Sequence, residues 1–109
     1  MRAMWLLVLG LGACSFPTED FVYEATVSDC TWAMDCLEDD VLTFYGWDSQ
    51  ETCQEDRGPV LSALSVGCAE YEKRAAKDCI EALEARTCGD AEITWPSVCD
   101  GVYTSCGAE

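Results

Sequence analysis

The chain has 109 residues with nine cysteines and no histidine, and its 21 acidic residues against six basic ones give a formal net charge of −15. A chain of this length forms one small domain, for which hydrophobic burial alone leaves folding marginal. So strong a negative charge excludes nucleic acid as a partner, because the two polyanions repel each other.

The N-terminus has the layout of an export signal. Arg2 precedes an apolar run over residues 3–13, and Cys14 and Ser15 follow that run. The run is too short to cross ~30 Å of hydrocarbon, which takes about 20 helical residues. The pattern predicts a signal peptide over residues 1–13 that is cleaved on export. A conventional signal peptide cut elsewhere and an uncleaved apolar N-terminus are the alternatives.

The segment Leu11-Gly12-Ala13-Cys14 resembles the lipobox of bacterial lipoproteins. The resemblance implies that Cys14 becomes the first residue of the mature protein and carries diacylglyceryl and palmitate-type acyl chains that hold it at a membrane. The next residue, Ser15, is not the aspartate that retains such proteins at the inner membrane. The resemblance therefore implies the outer membrane, at its periplasmic or its surface face. Secretion without a lipid is the alternative.

The other eight cysteines predict four disulfide bonds. They are Cys30, Cys36, Cys53, Cys68, Cys79, Cys88, Cys99 and Cys106. Lipidation of Cys14 removes the odd thiol that would otherwise remain in an exported protein. The absence of histidine and of a C-x-x-C pair argues against a zinc site or a thioredoxin-like centre. We expect no metal site and no cofactor, and a fold that is lost on reduction.

The pattern changes at residue 26. Residues 14–25 contain a proline, three acids and scattered aromatics, which predict a lipidated N-terminus followed by a short acidic tether. A disulfide-braced helical domain is expected over residues 26–109. Its first helix is predicted over residues 27–40, with Thr26 and Asp29 as a capping box. The apolar residues at helical spacing are Val27, Cys30, Met34, Leu37 and Val41.

The middle of the chain predicts an aromatic connection followed by short helices. Residues 42–47 are apolar and turn at Gly46. Asp48 is the predicted cap of a short helix that ends at Arg57-Gly58-Pro59, where glycine and proline break the pattern. Another helical turn or two is expected over residues 60–66.

The longest helix is predicted over residues 69–86, and Gly89 stops the chain soon afterwards. Its apolar face consists of Ala76, Cys79, Ile80 and Leu83. Thr94 is the predicted cap of a final short helix, or residues 93–95 form a short strand instead. The predicted fold is all-α, a small disulfide-rich bundle of three to four short helices.

Sequence alone does not choose among the roughly hundred pairings open to eight thiols. Cys30 and Cys36 lie six residues apart on one predicted helix, a rise of about 9 Å, so they cannot pair with each other. Bonds between helices, Cys36 with Cys53 and Cys79 with Cys99, are our hypotheses for two of the four.

Several segments resemble the small cysteine-rich lipoproteins of myxobacteria and related bacteria. They are Cys68-Ala69-Glu70-Tyr71, residues 75–83, Thr87-Cys88, Pro96-Ser97-Val98-Cys99 and Trp47-Asp48-Ser49 with Cys53. The resemblance covers residues 46–106 together with the lipobox and depends mainly on cysteine spacing in helices. It implies a helical, disulfide-bonded, envelope-anchored protein, and it provides no catalytic residues.

Negative charge is concentrated in the first half of the mature chain. Residues 15–56 contain twelve acids and no Lys or Arg, whereas residues 57–109 contain nine acids and all five remaining basic residues. Solubility at a crowded surface explains this charge, and a cationic partner or polymer fits it as well. Carboxylates at Asp35 and Glu38-Asp39-Asp40 suggest weak binding of a divalent cation such as Ca²⁺, although they match no EF-hand loop.

These features predict a protein that is not an enzyme. Without histidine, a free thiol or a G-x-S-x-G turn, the usual catalytic base and nucleophile are missing. The expected function is a structural or protein-interaction role in the cell envelope. The alternative is a secreted or surface-displayed inhibitor or effector that binds a foreign protein. Trp47 and Trp95 are candidate exposed anchors for such binding, and core packing is the favoured interpretation of both.

Overall fold

The computed structural model describes residues 15–89 and 95–107. In these ranges the chain forms helices α1 (Thr18–Cys36), α2 (Asp39–Tyr45) and α3 (Gln50–Ser62), a 3₁₀ turn (Ala63–Ser65), strand β1 (Cys68–Tyr71), helix α4 (Lys73–Glu84), a second 3₁₀ turn (Ser97–Gly101) and strand β2 (Tyr103–Cys106). The prediction of a small, mainly helical, disulfide-rich domain is confirmed. The two strands form an antiparallel sheet, so the all-α class is wrong in that detail.

Helix α1 begins nine residues before the predicted start at residue 27. The acidic tether is therefore wrong for residues 18–25, which are helical. Phe21 and Ala25, four residues apart, are buried, while Glu19, Asp20 and Glu24 are exposed. The acids in the first turn also favour the positive end of the helix dipole. The start of an amphipathic helix and an acidic tether can have the same composition, and only the helical spacing of the apolar residues distinguishes them.

The predicted capping box at the start of this helix is also wrong. Thr26 lies inside α1, where its hydroxyl donates to the carbonyl oxygen of Val22 at 2.6 Å. Asp29 is buried and bonds to two arginines instead of capping. The helix ends at Cys36 rather than at residue 40, and α2 begins three residues later as a separate helix.

Helix α3 begins one residue after its cap, Ser49, and not after Asp48. The Ser49 hydroxyl accepts from the Thr52 backbone N–H at 3.2 Å, and the Thr52 hydroxyl accepts from the Ser49 N–H at 3.0 Å. These two bonds form a reciprocal capping box. The predicted cap was one residue too early because aspartate and serine are both good caps.

The same helix continues through Gly58 and Pro59 to Ser62, where a break was predicted. A proline inside a helix removes a hydrogen bond and costs about 3 kcal/mol. Packing on both sides of Pro59 opposes that cost, because Arg57 bonds to α1 and Leu61 is buried. Tertiary contacts therefore override the local break.

The long helix predicted over residues 69–86 is shorter, and its first residues are a strand. Residues 68–71 pair with residues 103–106, with Tyr71 opposite Tyr103. The predicted apolar face of α4 is confirmed, since all four of its residues are buried. The final predicted helix is a 3₁₀ turn from Ser97 to Gly101. Residues 93 and 94, which carry the predicted cap and most of the alternative strand, lie outside the described residues.

All eight predicted cysteines are paired. The bonds are Cys30–Cys53, Cys36–Cys88, Cys68–Cys106 and Cys79–Cys99. The hypothesis for Cys79–Cys99 is confirmed, and so is the exclusion of Cys30 with Cys36. The hypothesis for Cys36–Cys53 is wrong, because Cys30 is the residue of α1 that faces α3. Cys36, at the end of α1, meets the segment that follows α4.

The buried side chains form two separate cores along α1. The proximal core, near the N-terminus of α1, contains Phe21, Ala25, Leu61, Ala76, Cys79, Ile80, Leu83 and Val102. The distal core contains Cys30, Trp32, Ala33, Trp47 and Cys53. On α1 the proximal core includes Phe21 and Ala25, and the distal core includes Cys30 and Ala33, which lie about 12–14 Å farther along the helix.

Candidate interaction surface

The turn between α2 and α3 displays aromatic side chains next to the distal core. Helix α2 ends at Gly46, whose φ of 80° lies in the left-handed region that favours glycine. The Gly46 N–H bonds to the carbonyl oxygen of Thr43 at 3.0 Å, and the Trp47 N–H bonds to that of Leu42 at 2.9 Å. These bonds close the helix and direct the chain back toward α3, as the predicted turn at Gly46 requires.

Phe44, Tyr45 and Trp47, which we call the aromatic cap, form a continuous row of rings. Trp47 is only 4% exposed, Tyr45 is 43% exposed and Phe44 is 83% exposed. The Tyr45 ring stacks on Trp47 with centroids 4.6 Å apart, and Phe44 contacts Tyr45 edge-on at 5.4 Å. Trp47 therefore supports the row from the distal core, while Phe44 projects from the surface.

Helix α3 fixes the position of Trp47. The indole N–H of Trp47 donates to Oδ2 of Asp56 at 2.9 Å. The Cys30–Cys53 bond ties the first turn of α3 to α1 beneath the cap. The side-chain amide of Gln50 adds a bond to the carbonyl oxygen of Val27 at 3.2 Å. The cap is therefore held by a rigid support.

Trp47 and Trp95 were the aromatic residues singled out in the sequence. Burial of Trp47 agrees with the core-packing interpretation. Trp95 is half-buried against the proximal core and lines a cavity of about 320 Å³ with Leu64 and Tyr103. Phe44 and Tyr45, the exposed members of the row, were missed as anchors. Their signal in the sequence was their place at the end of a helix too short to bury them.

The segment that carries the aromatic cap is rich in acidic residues. Residues 35–56 contain eight acids and no basic residue, and all eight acids are exposed. They are Asp35, Glu38, Asp39, Asp40, Asp48, Glu51, Glu55 and Asp56. Since α2 has seven residues and is about 10 Å long, its own acids lie within that axial distance of Phe44. The cap therefore combines apolar rings with a negative field.

A second polar cluster lies between the two cores and was not foreseen. The carboxylate of Asp29 accepts from Nε of Arg57 at 3.0 Å and from Nη1 of Arg86 at 3.2 Å. The Arg86 guanidinium lies over the Trp32 ring at 4.2 Å, and the Trp32 indole N–H donates to the carbonyl oxygen of Thr87 at 2.9 Å. This cluster joins α1 to α3 and to the segment after α4.

The sequence signal for this cluster was an acid on an apolar helix face. Asp29 follows Phe21 and Ala25 at intervals of four, so it shares their buried face. A buried carboxylate requires charged partners, and only two arginines in the described residues bond to it. Nη2 of Arg86 is buried without a hydrogen-bond partner in the part of the chain that the structure describes.

The aromatic rings of the sheet mark the opposite end of α1. Phe21 lies 6.4 Å from Tyr71 and 6.0 Å from Tyr103, measured between ring centroids. The Tyr71 hydroxyl donates to the carbonyl oxygen of Phe16 at 2.7 Å. Burial, with smaller contributions from Tyr103 and Asp20, raises the pKa of Tyr71 to about 12. Residues just before α1 are thus attached to the folded domain.

Cys14, the predicted lipidation site, lies outside the described residues. The eight other cysteines pair among themselves, so none of them is available to Cys14. Across residues 15–89 and 95–107, no helix combines the length and the apolar character needed to cross a membrane. In the same ranges no three acids or cysteines are grouped closely enough to hold a metal ion, and these ranges include Asp35 and residues 38–40.

A groove of about 470 Å³ lies between α1 and α3. Val22, Tyr23 and Pro59 supply its apolar wall, and Gln54 is among its polar residues.

No family model, curated protein or solved structure matches the chain. The surface chemistry of this chain is therefore the basis for assigning its function.

Proposed function

We propose that this protein is a lipid-anchored, disulfide-braced interaction module of the cell envelope that performs no catalysis. The pairing of all eight cysteines after Cys14 carries the proposal, because it leaves Cys14 as the one thiol without a partner in this chain. Acylation of Cys14 accounts for that thiol, and the lipobox supplies the enzyme recognition. Ser15 favours the outer membrane as the destination.

The start of α1 gives the anchor a short reach. Only residues 15–17 separate Cys14 from the helix, and the Phe16 carbonyl is bound by Tyr71. A lipid on Cys14 would therefore hold the domain at the membrane surface, with the proximal core nearest the bilayer. The aromatic cap would lie farther from the bilayer, beside the distal core, whose α1 residues are about 12–14 Å along the helix from those of the proximal core.

A second candidate function is a secreted or surface-displayed inhibitor or effector that binds a foreign protein. Phe44 favours it, because an aromatic side chain that is 83% exposed at the end of helix α2 is a typical anchor of a protein interface. The two candidates use the same surface and differ in whether the chain is lipidated and in whose protein it binds.

The test is the intact mass of the protein extracted from its native membrane, unreduced and treated with an alkylating reagent. The expected mass is that of residues 14–109 with a diacylglyceryl adduct, less eight hydrogens, with no alkylation. Cys14→Ser is the matched variant. It is expected to keep four disulfides but to lack the diacylglyceryl adduct. An unlipidated wild-type mass would contradict the anchor and favour the secreted candidate.

A further inference from the structure

We infer that the aromatic cap binds a segment of a partner protein that is rich in lysine and arginine. This inference rests on the proposed role as an interaction module, but it does not depend on the lipid. The lysine and arginine side chains of that segment would pack their aliphatic stems on Phe44 and Tyr45. Their cationic ends would pair with the carboxylates of residues 35–56.

The exposed rings locate the contact. Helix α2 buries none of its residues, and it carries two exposed aromatic residues next to each other, Phe44 and Tyr45. Phe44 is 83% exposed, so nearly its whole ring is available to a partner. Exposed aromatic groups packed together are typical of the centres of protein interfaces, where they contribute most of the affinity.

The charge selects the occupant. Eight exposed acids and no basic residue in residues 35–56 give the cap a negative field that attracts cations and repels anions. Arg57 and Arg86 share the one buried carboxylate of Asp29, so together they leave a single uncompensated positive charge against these eight acids. Cationic groups are also the ones that aromatic ring faces attract.

A second copy of this chain is disfavoured as the occupant. Two caps that met through Phe44 would bring together two segments that each carry eight exposed acids and no basic residue. Like charges opposed across an interface disfavour the association. A basic segment, by contrast, pairs with those carboxylates while it covers the same rings.

The cap is organised before binding. Tyr45 stacks on Trp47, Trp47 is bonded to Asp56, and α3 is joined to α1 by a disulfide below them. A surface fixed in this way loses little conformational freedom when a partner binds, so more of the contact energy appears as affinity.

The test measures binding of a fluorescein-labelled peptide of Lys, Arg and Gly by fluorescence anisotropy, using the full protein as purified in a nonionic detergent. We expect saturable binding that weakens as salt rises from about 50 to 200 mM. Phe44→Ala should weaken binding at least about tenfold, and Tyr45→Ala somewhat less. A peptide with Glu in place of Lys and Arg should not bind.

Matched variants separate the cap from general electrostatic attraction. Tyr23→Ala removes a ring that is 64% exposed on the other half of α1, and it should leave the affinity unchanged. Asp39→Asn with Asp40→Asn should weaken binding more than Asp78→Asn with Glu81→Gln, which neutralises two exposed acids of α4. The inference would be overturned if Phe44→Ala and Tyr23→Ala changed the affinity equally, or if the two double variants did. It would also be overturned if the basic peptide did not bind.

Two further outcomes identify other occupants. Spermine that competes as well as the peptide at equal charge would show a site for small polycations and overturn the protein segment. Displacement of the peptide by micromolar Ca²⁺ would show a cation site and do the same. The inference and the proposed anchor can fail separately. If the native protein has no lipid but binds the peptide, the inference stands and the anchor is refuted. If the native protein is lipidated but does not bind the peptide, the anchor stands and the inference is refuted.

Discussion

The two ends of α1 have two disulfides each but differ in how many apolar side chains they bury. The proximal core has eight buried residues from α1, α3, α4 and the end of the chain, and the rings of Tyr71 and Tyr103 pack against it. The distal core has five, and two of them are the cysteines of one disulfide. Because the distal end buries fewer apolar side chains, its two disulfides supply a larger share of its stability. The exposed rings of the aromatic cap lie at this distal end.

Asp29 lies between the two cores, and its removal is expected to have the largest effect. Asp29→Ala leaves Arg86, whose side chain is only 6% exposed, without its buried counter-charge. Breaking a buried pair by removing one partner costs about 3–5 kcal/mol. Urea unfolding should show that loss. Asp35→Ala, an exposed acid of the same helix, is the control and should change stability by less than about 0.5 kcal/mol. Equal losses for the two variants would show that the cluster does not join the cores.

Removing a disulfide from one end or the other should give two variants that differ in stability by a smaller amount. Cys30→Ala with Cys53→Ala removes a bond whose residues are both 0% exposed, whereas Cys106 of the sheet bond is exposed. Both variants lose the constraint on the unfolded chain, about 3 kcal/mol or more for loops of this length. The first also leaves a cavity, and we expect it to be the less stable by about 1–2 kcal/mol.

Mild reduction provides an independent measurement of the same difference. With a limiting thiol reagent, followed by alkylation and peptide mass mapping, Cys68–Cys106 should open before Cys30–Cys53, because access governs thiol–disulfide exchange. If the buried bond opened first, the distal end would have to unfold locally more readily than the sheet, contrary to the comparison.

Much of the fold could be predicted from the sequence, and the misses have physical causes. The apolar face of α4 follows from helical spacing. The Cys79–Cys99 bond was one of two hypotheses for bonds between helices, and the other was wrong. The strand at residues 68–71 could not be found, because its partner lies 35 or so residues away and a strand of four residues has little periodicity. Pro59 predicted a helix break, but tertiary packing keeps the helix continuous through it.

The candidate surface was only partly predictable. The sequence identified residues 44–47 as an aromatic turn and the first half of the chain as anionic. Which ring would be exposed depended on how α3 packs, since Asp56 and the Cys30–Cys53 bond determine that Trp47 is the buried one. Neither contact follows from local pattern.

Alkaline pH should weaken the proximal end specifically. Burial raises the pKa of Tyr71 from 10.0 to about 12, so the folded state favours the protonated phenol. The unfolded chain releases this proton near pH 10, and the stability that Tyr71 contributes is complete below that pH and is lost as pH rises toward 12. Thermal unfolding from pH 8 to 12 should show the loss. Tyr71→Phe should flatten that part of the profile, and an unchanged profile in that variant would contradict the role of Tyr71.

Phe44→Ala is expected to have the smallest effect on stability of these substitutions. The ring is 83% exposed and α2 buries none of its residues, so truncation removes little packing, and the change in unfolding free energy should stay within about 0.5 kcal/mol. Phe21→Ala is the comparison, because that ring is 1% exposed in the proximal core and its loss should cost about 3–5 kcal/mol.

The comparison of the two phenylalanines tests whether the distal end is specialised for binding. A Phe44→Ala protein that unfolds like the wild type but no longer binds the basic peptide would show that the ring serves the surface and not the fold. A large stability loss on Phe44→Ala would instead mean that Phe44 covers the Trp47 stack. In that case the distal core would include α2, and the exposed row would be part of the support for the domain.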